Sequence, residues 1–183
     1  MSNPIARCLS WLRGARRIAA LGLLAGAVAL PAGTPAHAAG HTVEMNMTVQ
    51  ASANAGYNYN GYGKGAMTVT VPAGWQVIVH FTNNGDLAHS LIVLPFTAAP
   101  PAVPAATPVF PGAVTHDVQT GLPVKATATV TFTAGNAGIY EFVCGVPAHA
   151  VLGMWDKLVV STSAAAPSVT PAAASAAVAF KVH

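Results

Sequence analysis

Short segments in which apolar and polar residues alternate constrain the fold of this chain more than any other feature. In 42–50, valines and methionines occupy every second position, and in 125–133 threonines alternate with apolar residues. Period-two alternation is typical of strands with one buried face, and no segment beyond the N-terminal 40 residues has the period of an amphipathic helix. We therefore predict an all-β domain, a β-sandwich of seven to eight short strands.

The first 38 residues have the composition of a secretory signal. Arginines precede an apolar run at 18–30, and the small-residue sequence Ala36-His37-Ala38 follows. This order is typical of an export signal, and we predict cleavage after Ala38. General secretion is the expected route, and Arg16-Arg17 leaves a twin-arginine route open. The apolar run is shorter than the roughly 20 residues of a spanning helix, so a retained membrane anchor is the alternative.

Charge is scarce and excludes a nucleic-acid-binding function. Charged residues make up 7% of the chain, and beyond residue 38 four lysines face five carboxylates, a net charge of −1. Binding a phosphate backbone needs a basic patch, and the sequence has none outside the predicted signal. With so few carboxylates to protonate, we expect the fold to tolerate acid.

One loop near the C-terminal end carries a thiol, an imidazole and a thioether at regular spacing. Cys144, His149 and Met154 are separated by four residues each time. Cys144 is the only cysteine beyond the predicted signal, so no disulfide accounts for it. Alternation places it on the inward face of a strand, beside Tyr140 and Phe142. Thiolate and thioether favour copper, and one cysteine, two histidines and a weak axial methionine form the blue-copper set. The alternative is a buried cysteine beside a surface histidine.

A second imidazole must come from elsewhere, and His89 is the best candidate because it begins the apolar run 89–94. His80 alternates with inward-facing residues and is predicted on the surface. His116 adjoins Asp117, but neighbouring side chains of an extended chain point in opposite directions, so we expect this pair on the surface too. The predicted ligands of one copper ion are His89, Cys144, His149 and Met154.

Three other segments are expected to frame the sandwich. The stretch 57–65, rich in tyrosine, asparagine and glycine, is predicted to cover one end in an ordered form. The prolines of 95–111 exclude regular structure, and we expect this excursion to pack through Phe96, Val103, Val109 and Phe110. The Ala/Ser/Pro-rich tail, 162–183, is either disordered or docked through 178–180. The predicted organisation is a signal at 1–38, a domain at 39–161 and this tail.

Together these features resemble the cupredoxins, the small blue copper proteins, and within them the sulfocyanins, with rusticyanin next. The resemblance covers about residues 42–161. It rests on His89, the Cys144-x4-His149-x4-Met154 loop, Tyr57-Asn58-Tyr59-Asn60-Gly61 and the proline-rich excursion. Two departures are tyrosines where phenylalanines are expected and Ala148 where glycine often precedes the histidine.

The resemblance implies a Greek-key sandwich with one type 1 copper at one end, and an electron carrier rather than an enzyme. It also implies an extracytoplasmic or periplasmic protein, expected to be monomeric, that serves a respiratory chain through a cytochrome or a terminal oxidase. Such a protein would reach a membrane surface through its partner or through a retained signal. The alternative is copper delivery or storage. The apolar neighbours of His149 suggest a docking patch, and Pro147, which offers no N–H to the sulfur, favours a relatively high potential.

Overall fold

The computed structural model describes residues 41–183, and these residues form two packed β-sheets. The predicted signal, 1–38, lies outside them. No helix within 41–183 has the length and apolar character that crossing a bilayer requires. The elements are β1 Thr42–Gln50, β2 Thr68–Pro72, β3 Gln76–Asn84, β4 Ile92–Pro95, β5 Thr127–Thr133, β6 Gly138–Val143, β7 Trp155–Ser161, β8 Ser168–Thr170, a one-turn helix α1 Ser175–Val178, and β9 Lys181–Val182.

The strands pair in two mixed sheets. One has the order β5-β3-β1-β9 and the other β4-β6-β7-β2-β8. β1 and β3 are parallel, with Thr42 opposite Gln76, whereas β6 and β7 are antiparallel. The predicted all-β sandwich is confirmed, but residues 41–183 form nine strands rather than the seven to eight expected, because β8 and β9 of the tail add to the seven strands within 42–161.

Alternation along the strands builds the core. Val43, Met45, Met47 and Val49 of β1 are at most 1% exposed, and their inward positions are those that the sequence predicted. Burying one such side chain is worth about 1.5–3 kcal/mol relative to leaving it exposed. The thiol of Cys144 lies in the same cluster, which places the candidate metal centre at the edge of the main core.

The 57–65 segment covers one end of the sandwich, as predicted, and two buried asparagines hold it there. The Asn60 side chain accepts a hydrogen bond from the Thr48 N–H at 2.8 Å and donates to the Asn46 carbonyl at 3.0 Å. Asn58 accepts from the Gln50 N–H and donates to the Gln50 carbonyl. β9 pairs only with the start of β1. Along the rest of the free edge of β1, the two asparagine side chains make the hydrogen bonds that a neighbouring strand would otherwise make.

The tail is part of the sandwich rather than a free extension, which the sequence had left open. β8 pairs with β2, and β9 pairs with β1. Between them Val178 is fully buried, and Phe180 packs against the core. Strand pairing therefore continues beyond residue 161 to the C-terminal residues.

The proline-rich excursion lacks regular structure and packs against residues of both sheets. Phe110 is 6% exposed and stacks on Phe132 with ring centroids 5.6 Å apart. Phe96 lies against Trp155, with ring centroids 6.0 Å apart. The prediction is wrong for Val103, which is 56% exposed, because the middle of the excursion is held through its backbone, where the Ala102 carbonyl accepts a hydrogen bond from the Ala148 N–H.

His116 and Asp117 are both exposed, as predicted, but the reasoning for that prediction was wrong. Their side chains meet, with Nδ1 of His116 2.7 Å from a carboxylate oxygen of Asp117. Asp117 has φ +51°, so the chain turns here instead of running extended, and neighbouring side chains can face one another. The pair lies at the surface.

Candidate metal centre

Segments about 55 residues apart in sequence bring His89, Cys144 and His149 together. One possible ligand atom from each, an imidazole nitrogen of either histidine and the cysteine sulfur, lies within 4.8 Å of the other two. Nδ1 of His149 is 3.2 Å from Nδ1 of His89 and 3.5 Å from the Cys144 sulfur. His89 and Cys144 are fully buried, and His149 is 9% exposed. Within residues 41–183 this is the one cluster of three or more histidine, cysteine or carboxylate side chains with the spacing of a metal site.

Backbone and amide hydrogen bonds fix the His89 segment. The His89 N–H donates to the Leu122 carbonyl at 3.1 Å, and the Leu122 N–H donates back at 2.7 Å. The Asn83 side chain, at the end of β3, donates to the carbonyls of Leu87 and Leu122. At Gly85 a Cβ atom would stand 3.2 Å from the His89 ring. The turn after β3 thus needs a small residue to pass beside the imidazole.

The loop between β6 and β7 returns Met154 to the side of Cys144. The Cys144 N–H donates to the Met154 carbonyl at 3.1 Å, and the Met154 N–H donates to the His149 carbonyl at 3.0 Å. Ala148 adopts φ +71°, a left-handed conformation that tightens the turn. Its N–H donates to the Ala102 carbonyl at 2.7 Å, which ties the loop to the proline-rich excursion. The Met154 side chain is fully buried in the core cluster that contains Cys144.

Burial sets the protonation of these groups. It lowers the pKa of His89 from 6.5 to about 4, with a smaller contribution from the nearby His149. Burial also lowers the pKa of His149 and raises the pKa of the Cys144 thiol. The imidazoles are therefore neutral over most of the pH range, with a lone pair on one ring nitrogen each. A buried thiolate is stable only beside a positive charge.

A single metal ion fits these observations. Ligand atoms that bind one first-row ion at about 2.0–2.3 Å stand roughly 3–4 Å apart, as the imidazole nitrogens and the sulfur do here. Nδ1 of His89 faces the cluster, 3.2 Å from Nδ1 of His149, whereas its Nε2 atom is buried and has no hydrogen-bond partner in the described part of the chain. Thiolate with imidazole favours copper. The cluster is able to bind one copper ion.

Ser90 is a residue of the site that sequence reasoning missed. Its N–H donates to the Cys144 sulfur at 3.4 Å. Its hydroxyl donates to the Val118 carbonyl at 2.6 Å and accepts from the Gly145 N–H at 2.9 Å. Because the single hydroxyl hydrogen is engaged by Val118, the backbone N–H is the Ser90 donor that serves the sulfur. Adjacency to His89 was the only sequence signal, and it does not reveal a partner 54 positions away.

Two tyrosines of the 57–65 cover also contact the site. The Tyr57 ring meets the His149 ring edge-on, with centroids 5.0 Å apart, and the His89 ring at 6.4 Å. The hydroxyl of Tyr59, which is fully buried, donates to the Ser90 carbonyl at 2.8 Å. The sequence predicted an ordered aromatic cover but not which tyrosine lies over the imidazoles.

Comparison with known proteins agrees with this geometry. The family model of the Sulfocyanin (SoxE) domain matches residues 26–170. A sulfocyanin of Sulfolobus acidocaldarius is 35% identical over 109 residues, which are 56% of this chain and 54% of that protein. This chain thus spans about half the length of the curated relative it matches.

Solved structures of rusticyanin share the fold. Reduced rusticyanin has 25% identity and a TM-score of 0.52, covering 67% of this chain and 81% of that one. A structure of rusticyanin variants is 24% identical with a TM-score of 0.51, and the match covers 67% of this chain and 79% of the rusticyanin chain. At this identity the match is evidence for the fold only. With its β-sandwich and its histidine-cysteine-histidine cluster, the chain belongs to the sulfocyanin family of blue copper proteins, within the cupredoxins.

Proposed function

We propose that this protein carries single electrons, with His89, Cys144, His149 and Met154 as the ligands of one type 1 copper ion. The observation that carries the proposal is the convergence of one thiol and two Nδ1 atoms in a site almost closed to solvent. Copper, when bound, supplies a centre that alternates between Cu(I) and Cu(II).

The chain holds the ligand atoms in place independently of the ion. Cys144 follows β6 directly, and its N–H and sulfur are both hydrogen-bonded, to Met154 and Ser90 respectively. His89 is held through Leu122 and Asn83. Because packed and hydrogen-bonded ligands move little, a change in oxidation state requires little rearrangement, which favours fast electron transfer.

Met154 is proposed as the fourth residue that would hold the ion, to which it would supply a thioether. Two backbone hydrogen bonds hold it beside Cys144 and His149, and its side chain is fully buried. A weak axial thioether and an apolar environment both tune the potential of such a centre. The sulfur of Cys144 also accepts a hydrogen bond from the Ser90 N–H at 3.4 Å, so a backbone donor reaches it although Pro147 offers none.

His149 is proposed as the point of electron exit, because it is the only one of the four side chains with measurable exposure. Exposed apolar side chains lie on the segments that position His89 and His149: Leu87, Val124, Val151 and Leu152. We call these four residues the apolar patch. The neighbours of Leu87 and Val124, Asp86 and Lys125, are exposed as well, so the surface is mainly apolar with one charge of each sign beside it. Such a surface suits brief encounters with a redox protein such as a cytochrome or a terminal oxidase, outside the cytoplasm. We expect the carrier itself to be monomeric.

The first test is to express residues 39–183, add Cu(II), and record visible absorption and EPR spectra together. We expect an intense thiolate-to-copper band with a narrow copper hyperfine splitting, and both should vanish in Cys144→Ser. A redox titration should then show one reversible one-electron step. A colourless protein with an ordinary type 2 copper signal would contradict the proposal and favour copper delivery or storage.

A further inference from the structure

Two of the four lysines of the chain flank one tryptophan on the outer face of the five-stranded sheet. Trp155 and Lys157 are alternate residues of β7 and therefore point to the same side. The backbone of Gly65 lies on the Trp155 ring, where an added Cβ atom would stand 2.5 Å from a ring carbon and 3.4 Å from Cε of Lys157. Lys64, the residue before Gly65, is exposed. We call Lys64, Phe96, Trp155 and Lys157 the lysine–aromatic face.

Three segments of the chain fix the positions of these side chains. The Phe96 and Trp155 ring centroids are 6.0 Å apart, and the Lys157 ammonium group lies 5.8 Å from the Phe96 centroid. The Gly65 N–H donates to the Trp155 carbonyl at 3.0 Å. Both aromatic rings and the Lys157 side chain are partly exposed. Two cations and two aromatic rings are thus presented together at the surface.

The positive charge of this face is not balanced by carboxylates. All five carboxylate side chains of the chain lie within the described residues, and the ion pairs they form are with histidines. The 57–65 cover, the proline-rich excursion and strands β2, β4 and β8 contain no carboxylate. Glu141 of β6 and Asp156 of β7 are 1% and 0% exposed. The three carboxylates that reach the surface lie on other segments: Glu44, Asp86 and Asp117.

We propose that the lysine–aromatic face docks a protein partner with an acidic surface. Tryptophan is among the residues that contribute most to protein–protein binding. Charges of opposite sign across an interface steer the partner towards it and fix its orientation. The proposal deepens the electron-carrier function, and it rests on that function for the identity of the partner, which would be a redox protein.

The lysine–aromatic face is continuous with the apolar patch beside the metal centre. The Lys64 N–H donates to the Gly153 carbonyl at 2.8 Å, and a Cβ atom at Gly153 would stand 2.6 Å from Cγ of Lys64. Leu152 of the apolar patch precedes Gly153, and Met154 precedes Trp155. A partner seated on the apolar patch therefore meets Lys64 next, where acidic residues at its rim find a cation.

A membrane is the other negatively charged surface that lysines recognise. Attraction to anionic lipids is typical of clusters of about four to eight basic residues, whereas this face has two. Two charges around exposed aromatic rings suit the polar rim and apolar centre of a brief protein contact. An acidic protein surface is therefore the favoured occupant.

The test is a binding measurement on the copper-free and the Cu(I)-loaded protein. Decaglutamate, a peptide with carboxylate side chains only, is titrated at low salt into isotope-labelled protein and followed by NMR. We expect the indole N–H signal of Trp155 and the amide signals of the lysine–aromatic face to shift. The indole signal of Trp75 is the internal reference and should not move. Ala73, close to Trp75, donates to the carbonyl of Ser161 at the far end of β7, and six residues of strand span about 20 Å.

Three matched variants locate the binding surface. Lys64→Gln and Lys157→Gln each remove one charge from the face, whereas Lys181→Gln removes the same charge from β9 on the other sheet. We expect each of the first two to weaken decaglutamate binding about two- to fivefold, because exposed ion pairs contribute little individually. The double variant should bind more weakly still. Lys181→Gln should bind like the unmodified protein, and all variants should retain the thiolate band when loaded with copper.

An equal loss of binding in Lys181→Gln, or signal shifts that spare Trp155, would overturn the proposal. A second arm uses vesicles of equal parts phosphatidylcholine and phosphatidylglycerol. Sedimentation with these vesicles that requires Lys64 and Lys157, while decaglutamate shifts no signal, would also overturn the proposal and assign the face to lipid. A missing thiolate band would instead contradict the electron-carrier function, and the binding measurement on copper-free protein would stand apart from it.

Discussion

Ser90 shows how closely single residues determine the properties of this centre. It follows His89 in the chain, its N–H serves the Cys144 sulfur, and its hydroxyl bridges the Val118 carbonyl and the Gly145 N–H. One residue thus joins the first imidazole to the thiol loop. Because the thiol is fully buried, each such N–H stabilises the thiolate state that a metal ion requires.

Tyr57 is expected to protect the imidazoles from water through its ring rather than its hydroxyl. Tyr57→Ala should open the edge of His149, whereas Tyr57→Phe keeps the ring at the same place. We expect the alanine variant to lower the potential, because water stabilises the more charged oxidised state, and to let azide reach the oxidised copper. The phenylalanine variant is the control. An alanine variant with the native potential and no azide binding would show that Tyr57 does not cover the site.

Met154 offers a test of the axial position that leaves packing almost intact. Met154→Leu conserves volume in a fully buried place, so the free energy of unfolding should change by less than about 1.5 kcal/mol. Loss of the thioether removes one donor, which destabilises the more highly charged Cu(II) more than Cu(I), so the potential should rise while the thiolate band remains. An unchanged potential in cyclic voltammetry would place the methionine outside the coordination sphere.

At the scale of elements, the C-terminal segment completes both sheets. β8 extends the five-stranded sheet and β9 the four-stranded one, with Val178 of α1 buried between them. The segment has almost no charge and many alanines, a composition that is common in disordered chains. It nevertheless docks, because exposed edges of β1 and β2 offer hydrogen bonds that the composition of the tail alone does not reveal.

Val178→Ala should therefore destabilise the protein, although the residue lies outside the predicted domain. Removing two buried methyl groups is expected to lower the free energy of unfolding by about 1–2.5 kcal/mol. Val182→Ala, at a side chain that is 51% exposed, should change it by less than about 0.5 kcal/mol. Urea denaturation of both copper-loaded variants measures the difference. Equal stabilities would mean that the tail does not contribute to the fold in solution.

At the scale of the whole molecule, Glu141 makes stability depend on pH. It lies on the outer face of β6, beneath the proline-rich excursion, and is 1% exposed with one oxygen unpaired within residues 41–183. Burial raises its pKa from 4.5 to about 7, against a hydrogen bond from the Thr97 backbone. Lys157 stands opposite Glu141 on β7. Its ammonium group lies over the Phe96 ring, 5.8 Å from the ring centroid, and forms no ion pair within residues 41–183.

The direction of this pH dependence follows from the pH at which the folded and the unfolded chain each lose the Glu141 proton. The folded carboxyl keeps its proton up to about pH 7, whereas the unfolded chain loses it near 4.5. The stabilising contribution is thus fully present below pH 4.5 and disappears as the pH rises through 7. We expect the copper-loaded protein to be more stable at pH 5 than at pH 8, with a smaller difference in Glu141→Gln. Denaturant titrations at the two pH values test this, and an equal difference in the variant would contradict it.

The sequence alone determined the strands and the identity of the candidate ligands. Alternation is a local property that a strand must display wherever one face is buried, so β1, β3, β5 and β6 could be predicted from their residues. The cysteine, histidine and methionine of one loop were equally visible, because their spacing and softness are local too. His89 could be chosen because few histidines begin an apolar run.

Tertiary structure alone decided what depends on distant neighbours. Ser90 reaches the thiol and Tyr57 covers the imidazoles only because strand order brings segments tens of residues apart to one end of the sandwich. Glu141 becomes a buried acid because an excursion without regular structure covers it, and the tail becomes two strands because edges are open to it. Contacts of this kind carry no periodic signal, since their energy arises from burial and pairing that exist only after the chain has folded.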